Sequence, residues 1–266
     1  MRYNFYMRKI FTFLVVITSI FASSKVAATI KPLSLLVQEI YGEKVITILP
    51  PNRSPHFFSP SPSMIKEVTK SRVLFKIGAG LEFWKIEGVK TVDLSTSVEL
   101  IKENGRVNPH YWLSPLRVKP VVEEIGKVLI SIFPERANEI SKRASQVKEE
   151  LEELDFLIRK QARPLKKKRV ILYHPAWEYF FRDYGFQIAG IITKNPGEPP
   201  KPANLKNLQA DLLVLDPPVP ETFARSICEG KNMKYIYLDP LASDPEVKTY
   251  REFILNNFEK IKEGLQ

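Results

Sequence analysis

Three histidines, His56, His110 and His174, and one cysteine, Cys228, are the chain's full stock of imidazole and thiol ligands. Any imidazole chemistry must use those three positions. Each stands beside a proline: Pro55-His56, Pro109-His110 and His174-Pro175. Proline restricts its own backbone and that of the residue before it, which helps pre-set the neighbouring side chain. A single cysteine excludes a disulfide scaffold, a cysteine zinc finger and an iron–sulfur centre, each of which needs several. Neutral imidazoles with one carboxylate are a tetrahedral zinc donor set. Two triplets offer that carboxylate, Leu215-Asp216-Pro217 and Leu238-Asp239-Pro240. Each follows a strand-like apolar run, so position alone does not choose between Asp216 and Asp239. At this point a metal site and three packed core histidines remain alternatives.

The elements that must position these residues follow from apolar periodicity. Hydrophobic residues make up 44% and charged residues 26% of 266, a globular composition of one large or two small domains. Strands are expected at Val26–Thr29, Val45–Leu49, Val73–Ile77 and Val89–Leu94. Helices are expected from Pro32 to Tyr41, stopped by Gly42, and at Ser61–Lys70. Helical segments follow over Pro120–Phe133 and from Pro134. The second carries Ala137, Ile140, Ala144, Val147, Leu151, Leu154 and Ile158 on one face. With no glycine or proline before Pro164, it predicts a rigid rod of roughly 28 residues, about 42 Å long.

Alternation then restarts. Strands are expected at Val170–Tyr173, Gln187–Ile192, Leu212–Leu215 and Tyr235–Leu238. Helices are expected at Ala176–Asp183, at Thr222–Cys228 with Cys228 a small buried residue, and at Glu246–Leu265. The predicted fold is α/β, two doubly wound α/β lobes joined by a long rigid helix. The boundaries are a signal peptide over 1–24, an N-terminal lobe over 25–133, the linking helix over 134–163 and a C-terminal lobe over 164–266.

This arrangement puts His56 in the loop leaving one strand, and His174 and Asp239 directly at the ends of two others. His110 precedes the middle helices. Open α/β sheets bind ligands at the carboxyl ends of their strands. A cleft between the lobes would therefore gather all four. His174 also opens a predicted helix, whose dipole disfavours imidazolium and keeps the ring ready to coordinate. Three neutral histidines of ordinary pKa, about 6.5, would make metal affinity fall steeply between about pH 7 and pH 5.

Residues 1–24 read as a secretory leader. Arg2, Arg8 and Lys9 precede the uncharged run Ile10–Phe21, and Ala22-Ser23-Ser24 offers small residues for cleavage. The apolar run falls short of the roughly 20 residues that span a bilayer. The expectation is an exported, periplasmic protein, acting as a monomer. The net charge of +10 is dispersed, apart from Lys166–Arg169. Dispersed charge and export together argue against nucleic acid as a partner.

Six motifs occur in order: Ser54-Pro55-His56 with Pro60-Ser61-Pro62; Gly78-Ala79-Gly80-Leu81-Glu82-Phe83-Trp84; Asn108 to Pro115 (NPHYWLSP); His174 to Phe180 (HPAWEYF) through Gly185-Phe186; Asn195 to Pro200 (NPGEPP); and Leu238-Asp239-Pro240-Leu241. In these the chain resembles the metal-binding solute-binding proteins of ABC transporters, the cluster A-I (zinc/manganese) family. The resemblance covers nearly all of the chain after the leader. It implies that His56, His110, His174 and Asp239 hold the metal, which a membrane permease then receives. Two positions depart from the family pattern: many members have aspartate where Asn108 and Ser114 stand. The histidine-rich loop of many zinc members is also absent from the short segment Ser95–Val107.

Three imidazoles favour Zn²⁺ as the transported ligand over Mn²⁺, which prefers oxygen-rich sites. The alternatives are a manganese or iron binder of the same family, or an exported zinc hydrolase. A hydrolase needs an open coordination position and a general base, and the chain has no HExxH motif. No catalytic residues are expected. Trp84, Trp112 and Trp177 read as packing residues. Glu82 reads equally as a loop acid or as an acceptor that orients a ligand histidine.

Overall fold

The computed structural model describes residues 25–266 except 104, 195–196 and 206–207. The leader over 1–24 and the start of the proline-rich motif, Asn195-Pro196, lie outside the described residues.

The first half runs β1 (Val26–Ala28), α1 (Lys31–Tyr41), β2 (Ile46–Thr47), α2 (Pro62–Val68), β3 (Val73–Lys76) and β4 (Lys90–Asp93). Its four strands are parallel, in the order β2-β1-β3-β4. A small antiparallel hairpin follows, β5 (Lys102–Glu103) and β6 (Arg106–Val107). Then come α3 (Pro115–Ile132) and α4 (Ala137–Ala162). The second half runs β7 (Arg169–Leu172), α5 (Glu178–Asp183), β8 (Gln187–Ile191), α6 (Pro202–Leu205), β9 (Leu212–Leu215), α7 (Glu221–Cys228), β10 (Lys234–Tyr237) and α8 (Tyr250–Leu265). Its sheet is also parallel, in the order β10-β9-β7-β8. Two parallel α/β lobes bridged by one long helix are the predicted architecture.

That helix is the structural link. Short 3₁₀ turns at Pro134–Arg136 and Arg163–Leu165 flank the 26 residues of α4. It packs on α1 and α3 of the first half and on α8 of the second. Ile140, Val147, Leu151, Leu154, Ile158 and Ala162 are buried along its inner face. Burying each of the larger ones contributes about 1.5–3 kcal/mol. One apolar cluster includes β1 and β3 of one sheet and β7 and β9 of the other. Polar ties also cross between the halves. The Trp112 indole donates to the Pro240 carbonyl at 2.9 Å, and the Tyr250 hydroxyl donates to the Trp112 carbonyl at 2.8 Å.

Several boundaries differ from expectation for local reasons. Helix α3 starts at Pro115, not Pro120. Pro115 follows extended Ser114 and is pre-set for the first helical position. Pro120 lies near the helix start, where its missing N–H sacrifices a single intrahelical bond. Helix α8 starts at Tyr250, not Glu246, because Thr249 and Glu252 form a reciprocal capping box. Cys228 ends α7, where the expected helix also ends, and is half-buried rather than buried.

Candidate metal centre

Each histidine is set by a different local device. His56 lies in the long loop from β2 to α2, the helix that Ser61 caps. His110 heads the 3₁₀ turn Tyr111–Leu113, all three of whose residues are buried. The Tyr111 hydroxyl donates to the Ile77 carbonyl at 2.8 Å and anchors that turn to the end of β3. His174 caps the 3₁₀ turn Pro175–Trp177, which leads into α5, just past β7.

The structure brings the three together. Among the described residues they are the cluster of potential ligands, with one ring nitrogen from each lying within 4.8 Å of the others. His56 Nε2 and His110 Nε2 are 3.1 Å apart. The His110–His174 and His56–His174 ring centroids are 4.8 and 5.4 Å apart. Tetrahedral geometry with Zn–N bonds of about 2.0–2.1 Å puts ligand nitrogens about 3.3 Å apart. The His56–His110 pair therefore already has ligand spacing, and the third nitrogen needs to move inward by no more than about 1.5 Å.

Hydrogen bonding fixes which nitrogen His110 offers. Asn108 Oδ1 lies 2.7 Å from His110 Nδ1 and also accepts the His110 backbone N–H at 3.0 Å. The Asn108 amide donates to the Pro175 carbonyl and to Glu178 Oε2, both at 2.9 Å. Its oxygen must then face His110, so Nδ1 carries the proton and Nε2 the lone pair.

Burial keeps two of the rings neutral. It lowers the His56 pKa to about 4, with the nearby His174 adding to the effect. Burial, then His174 and His56, hold His110 well below the ordinary histidine value. Desolvation penalises imidazolium, and three imidazoles in one pocket repel one another when charged. Two of the three rings thus stay ready to coordinate well below neutral pH, a change from the steep loss expected between pH 7 and pH 5.

The two aspartates lie differently. Asp216 follows β9, the strand beside β7, and its Oδ2 is 3.4 Å from His174 Nδ1. Burial raises its pKa, against the pull of His174. Asp239 follows β10, the edge strand. Its carboxylate accepts the backbone N–H groups of Leu241 at 2.9 Å and Ser243 at 2.5 Å, and the Ser243 hydroxyl at 3.1 Å.

The histidines open onto a cavity of about 540 Å³. Both halves line it, with Ala79 and Leu81 on one side and Pro175 and Ile191 on the other. Phe57, beside His56, is 64% exposed, yet its ring edge meets Gly197 of the second half; a Cβ on Gly197 would lie 2.8 Å from Phe57 Cζ. Glu82 orients no histidine. It accepts from Thr29 Oγ1 and from the Ile77 and Gly78 N–H groups, tying the ends of β1 and β3. Trp112 and Trp177 are buried, and the Trp112 ring centroid is 5.0 Å from that of His110. The sequence marks Asn108 as a neighbour of a ligand and Asp216 as an alternative to Asp239, but not their contacts with His110 and His174, and it does not mark Phe57. Adjacency to a histidine or to a strand end was the available signal.

Two α/β lobes on one helix, with three converging histidines at the cleft, define a metal-binding solute-binding protein. Comparison with known proteins agrees. The family profile of ZnuA, zinc-uptake complex component A, periplasmic, matches residues 26–264. The chain belongs to that family, whose members are non-enzymatic, extracytoplasmic transport components working with an ABC permease. A relative from Thermotoga maritima, named as a metal-binding protein, is 32% identical over 98% of this chain and 100% of its own length. The manganese-binding lipoprotein MntA of Halalkalibacterium halodurans is 24% identical over 91% of this chain and 88% of its own. A crystal structure of ZnuA superposes with a TM-score of 0.80 at 23% identity, covering 92% of this chain and all of that one.

Proposed function

We propose that this protein captures Zn²⁺ outside the cytoplasmic membrane, in the cleft between its lobes, and delivers it to an ABC permease. The observation that carries this reading is the convergence of three imidazoles, two of which burial keeps neutral. An all-nitrogen triad suits zinc better than manganese, which prefers oxygen donors. His56, His110 and His174 supply three ligands and Asp239 the fourth. Asp239 Oδ1 is shared by two donors while Oδ2 accepts one, which leaves a lone pair for a cation. Asp216, beside His174 Nδ1, holds that ring rather than the metal. The leader over 1–24 exports the chain, which works as a monomer with lobes over 25–133 and 164–266 on the helix 134–163. No helix among the described residues is long and apolar enough to cross a membrane.

Elemental analysis of untagged protein, followed by competition, tests the metal. Zinc should be the metal recovered, and equimolar zinc should displace manganese or iron. Bound manganese that resists equimolar zinc would contradict the zinc reading and favour the kind of cargo named for the relative MntA.

A further inference from the structure

Asn108 presents a problem that an aspartate would not. An amide has two faces, and only one of them serves His110. With Oδ1 toward His110, the ring carries its proton on Nδ1 and offers Nε2 to the cleft. With the amide turned over, its NH₂ would face His110 Nδ1. That nitrogen would then accept, the proton would sit on Nε2, and the ligand lone pair would be lost. Something must hold the amide the right way round.

Besides the His110 backbone N–H on Oδ1, two acceptors from the other half of the molecule hold it, the Pro175 carbonyl and Glu178, each 2.9 Å from Asn108 Nδ2. Glu178 opens α5 and is only 3% exposed. Its Oε2 accepts from Asn108 Nδ2 at 2.9 Å, across 70 positions of sequence. An ionised carboxylate can only accept, so it admits the NH₂ face of Asn108 and rejects the oxygen face. Its other oxygen, Oε1, pairs with Arg182 one turn further along α5. Arg182 in turn reaches Glu103 of the first half, on β5. Tyr179 adds to the clamp, donating its hydroxyl to the Asn108 carbonyl at 2.8 Å.

We propose that Glu178 is a positioning residue for metal binding: through Asn108 it sets the tautomer of His110, so that α5 of the second lobe arms a ligand of the first. The inference rests on His110 being a metal ligand. The chain of bonds runs His110 Nδ1–H to Asn108 Oδ1, then Asn108 Nδ2–H to Glu178 Oε2. It is a fixed relay with one negative charge at its far end. A carboxylate there polarises the amide, makes Oδ1 a better acceptor and raises the donor strength of Nε2 toward a cation.

The relay can be tested by moving its charge. Glu178→Ala should weaken zinc binding about 10–100-fold, the usual cost of losing a partner that supports a ligand. Glu178→Gln keeps the shape but loses the charge, and Arg182 competes for its one oxygen, so it should bind between the wild type and Glu178→Ala. Asn108→Asp alone would set two carboxylates about 3 Å apart in a buried site, and should bind worse than the wild type. Asn108→Asp combined with Glu178→Gln places one charge and one amide in the same relay, in reversed order. It should bind better than Asn108→Asp alone. Long-range ¹H–¹⁵N spectra of the metal-free protein give a readout that packing alone would not move. His110 should be the Nδ1–H tautomer in the wild type and should gain some Nε2–H tautomer in Glu178→Ala, where the Pro175 carbonyl is the acceptor left on Asn108 Nδ2.

Melting temperatures identify any variant that fails to fold; Glu178→Gln, nearly isosteric, keeps the test available. The proposal is overturned if Glu178→Ala keeps a pure Nδ1–H His110 and wild-type affinity, or if the double variant binds no better than Asn108→Asp. If His110→Ala binds zinc as well as the wild type, the metal reading itself fails. That outcome is separate from either of these.

Discussion

Metal-free protein should lose stability on mild acidification, with a separable contribution from His56. Burial lowers its pKa to about 4 in the fold, whereas the unfolded chain titrates near the ordinary value, about 6.5. Between those values the unfolded chain binds a proton that the folded chain refuses. Stability is therefore fully present above about pH 6.5 and falls as pH drops toward 4. A gap of about 2.5 units at 1.36 kcal/mol each makes this loss about 3 kcal/mol for His56 alone. His110 adds a loss of the same sign. The assay is urea denaturation of chelator-treated protein at half-unit steps from pH 7 to 4, for the wild type and His56→Gln. Carboxylates titrate in both proteins and largely cancel in the difference. The wild type should lose about 3 kcal/mol more than the variant over this range. Parallel pH profiles would refute the claim that the fold holds His56 neutral.

The same depressed pKa values give a second test: His56 and His110 have no proton to release to zinc between pH 7 and 5, so log zinc affinity should change by well under three per pH unit there. A slope approaching three in a competition titration would contradict it. Asp239→Ala should weaken zinc binding at least about 10-fold and Asp216→Ala by less, both measured on folded protein; the reverse ranking would make Asp216 the ligand. Gly197→Ala should destabilise the fold by about 1–2 kcal/mol in thermal melts, because Gly197 has φ of 73° and Phe57 occupies the space of its Cβ. Small-angle scattering should give nearly equal radii of gyration with and without zinc, since α4 is free of internal glycine and proline and its buried face joins both lobes; a wide-open metal-free form would overturn that.

Much of the architecture was legible because its signals are local. The apolar face of α4 repeats at helical spacing, and the buried strands Val73–Lys76 and Leu212–Leu215 read directly as apolar runs. Gly42, in the left-handed region with φ of 80°, closes α1 where the sequence placed its end. The histidines were legible because each stands at a strand end or beside a turn-forming proline. The partners that tune them were not. Asn108 meets Glu178 only because α5 of the second lobe folds against the Asn108 loop of the first, and no pattern near either residue encodes that contact. The choice between Asp216 and Asp239 is similar. Both follow strands with the same Leu-Asp-Pro signature, and only the sheet order puts Asp216 beside His174. Pro120 misled for a related reason, since a proline close to a helix start can lie inside it as easily as open it.

The central claim is that His56, His110 and His174 together hold one divalent ion. X-ray absorption at the zinc edge, on protein loaded with one equivalent of zinc, tests it most directly. The account predicts three imidazole nitrogens at about 2.0–2.1 Å, with one oxygen completing the shell. It also predicts that His110→Ala reduces the imidazole count. Fewer than three imidazoles in the wild type, or a spectrum unchanged by His110→Ala, would contradict it.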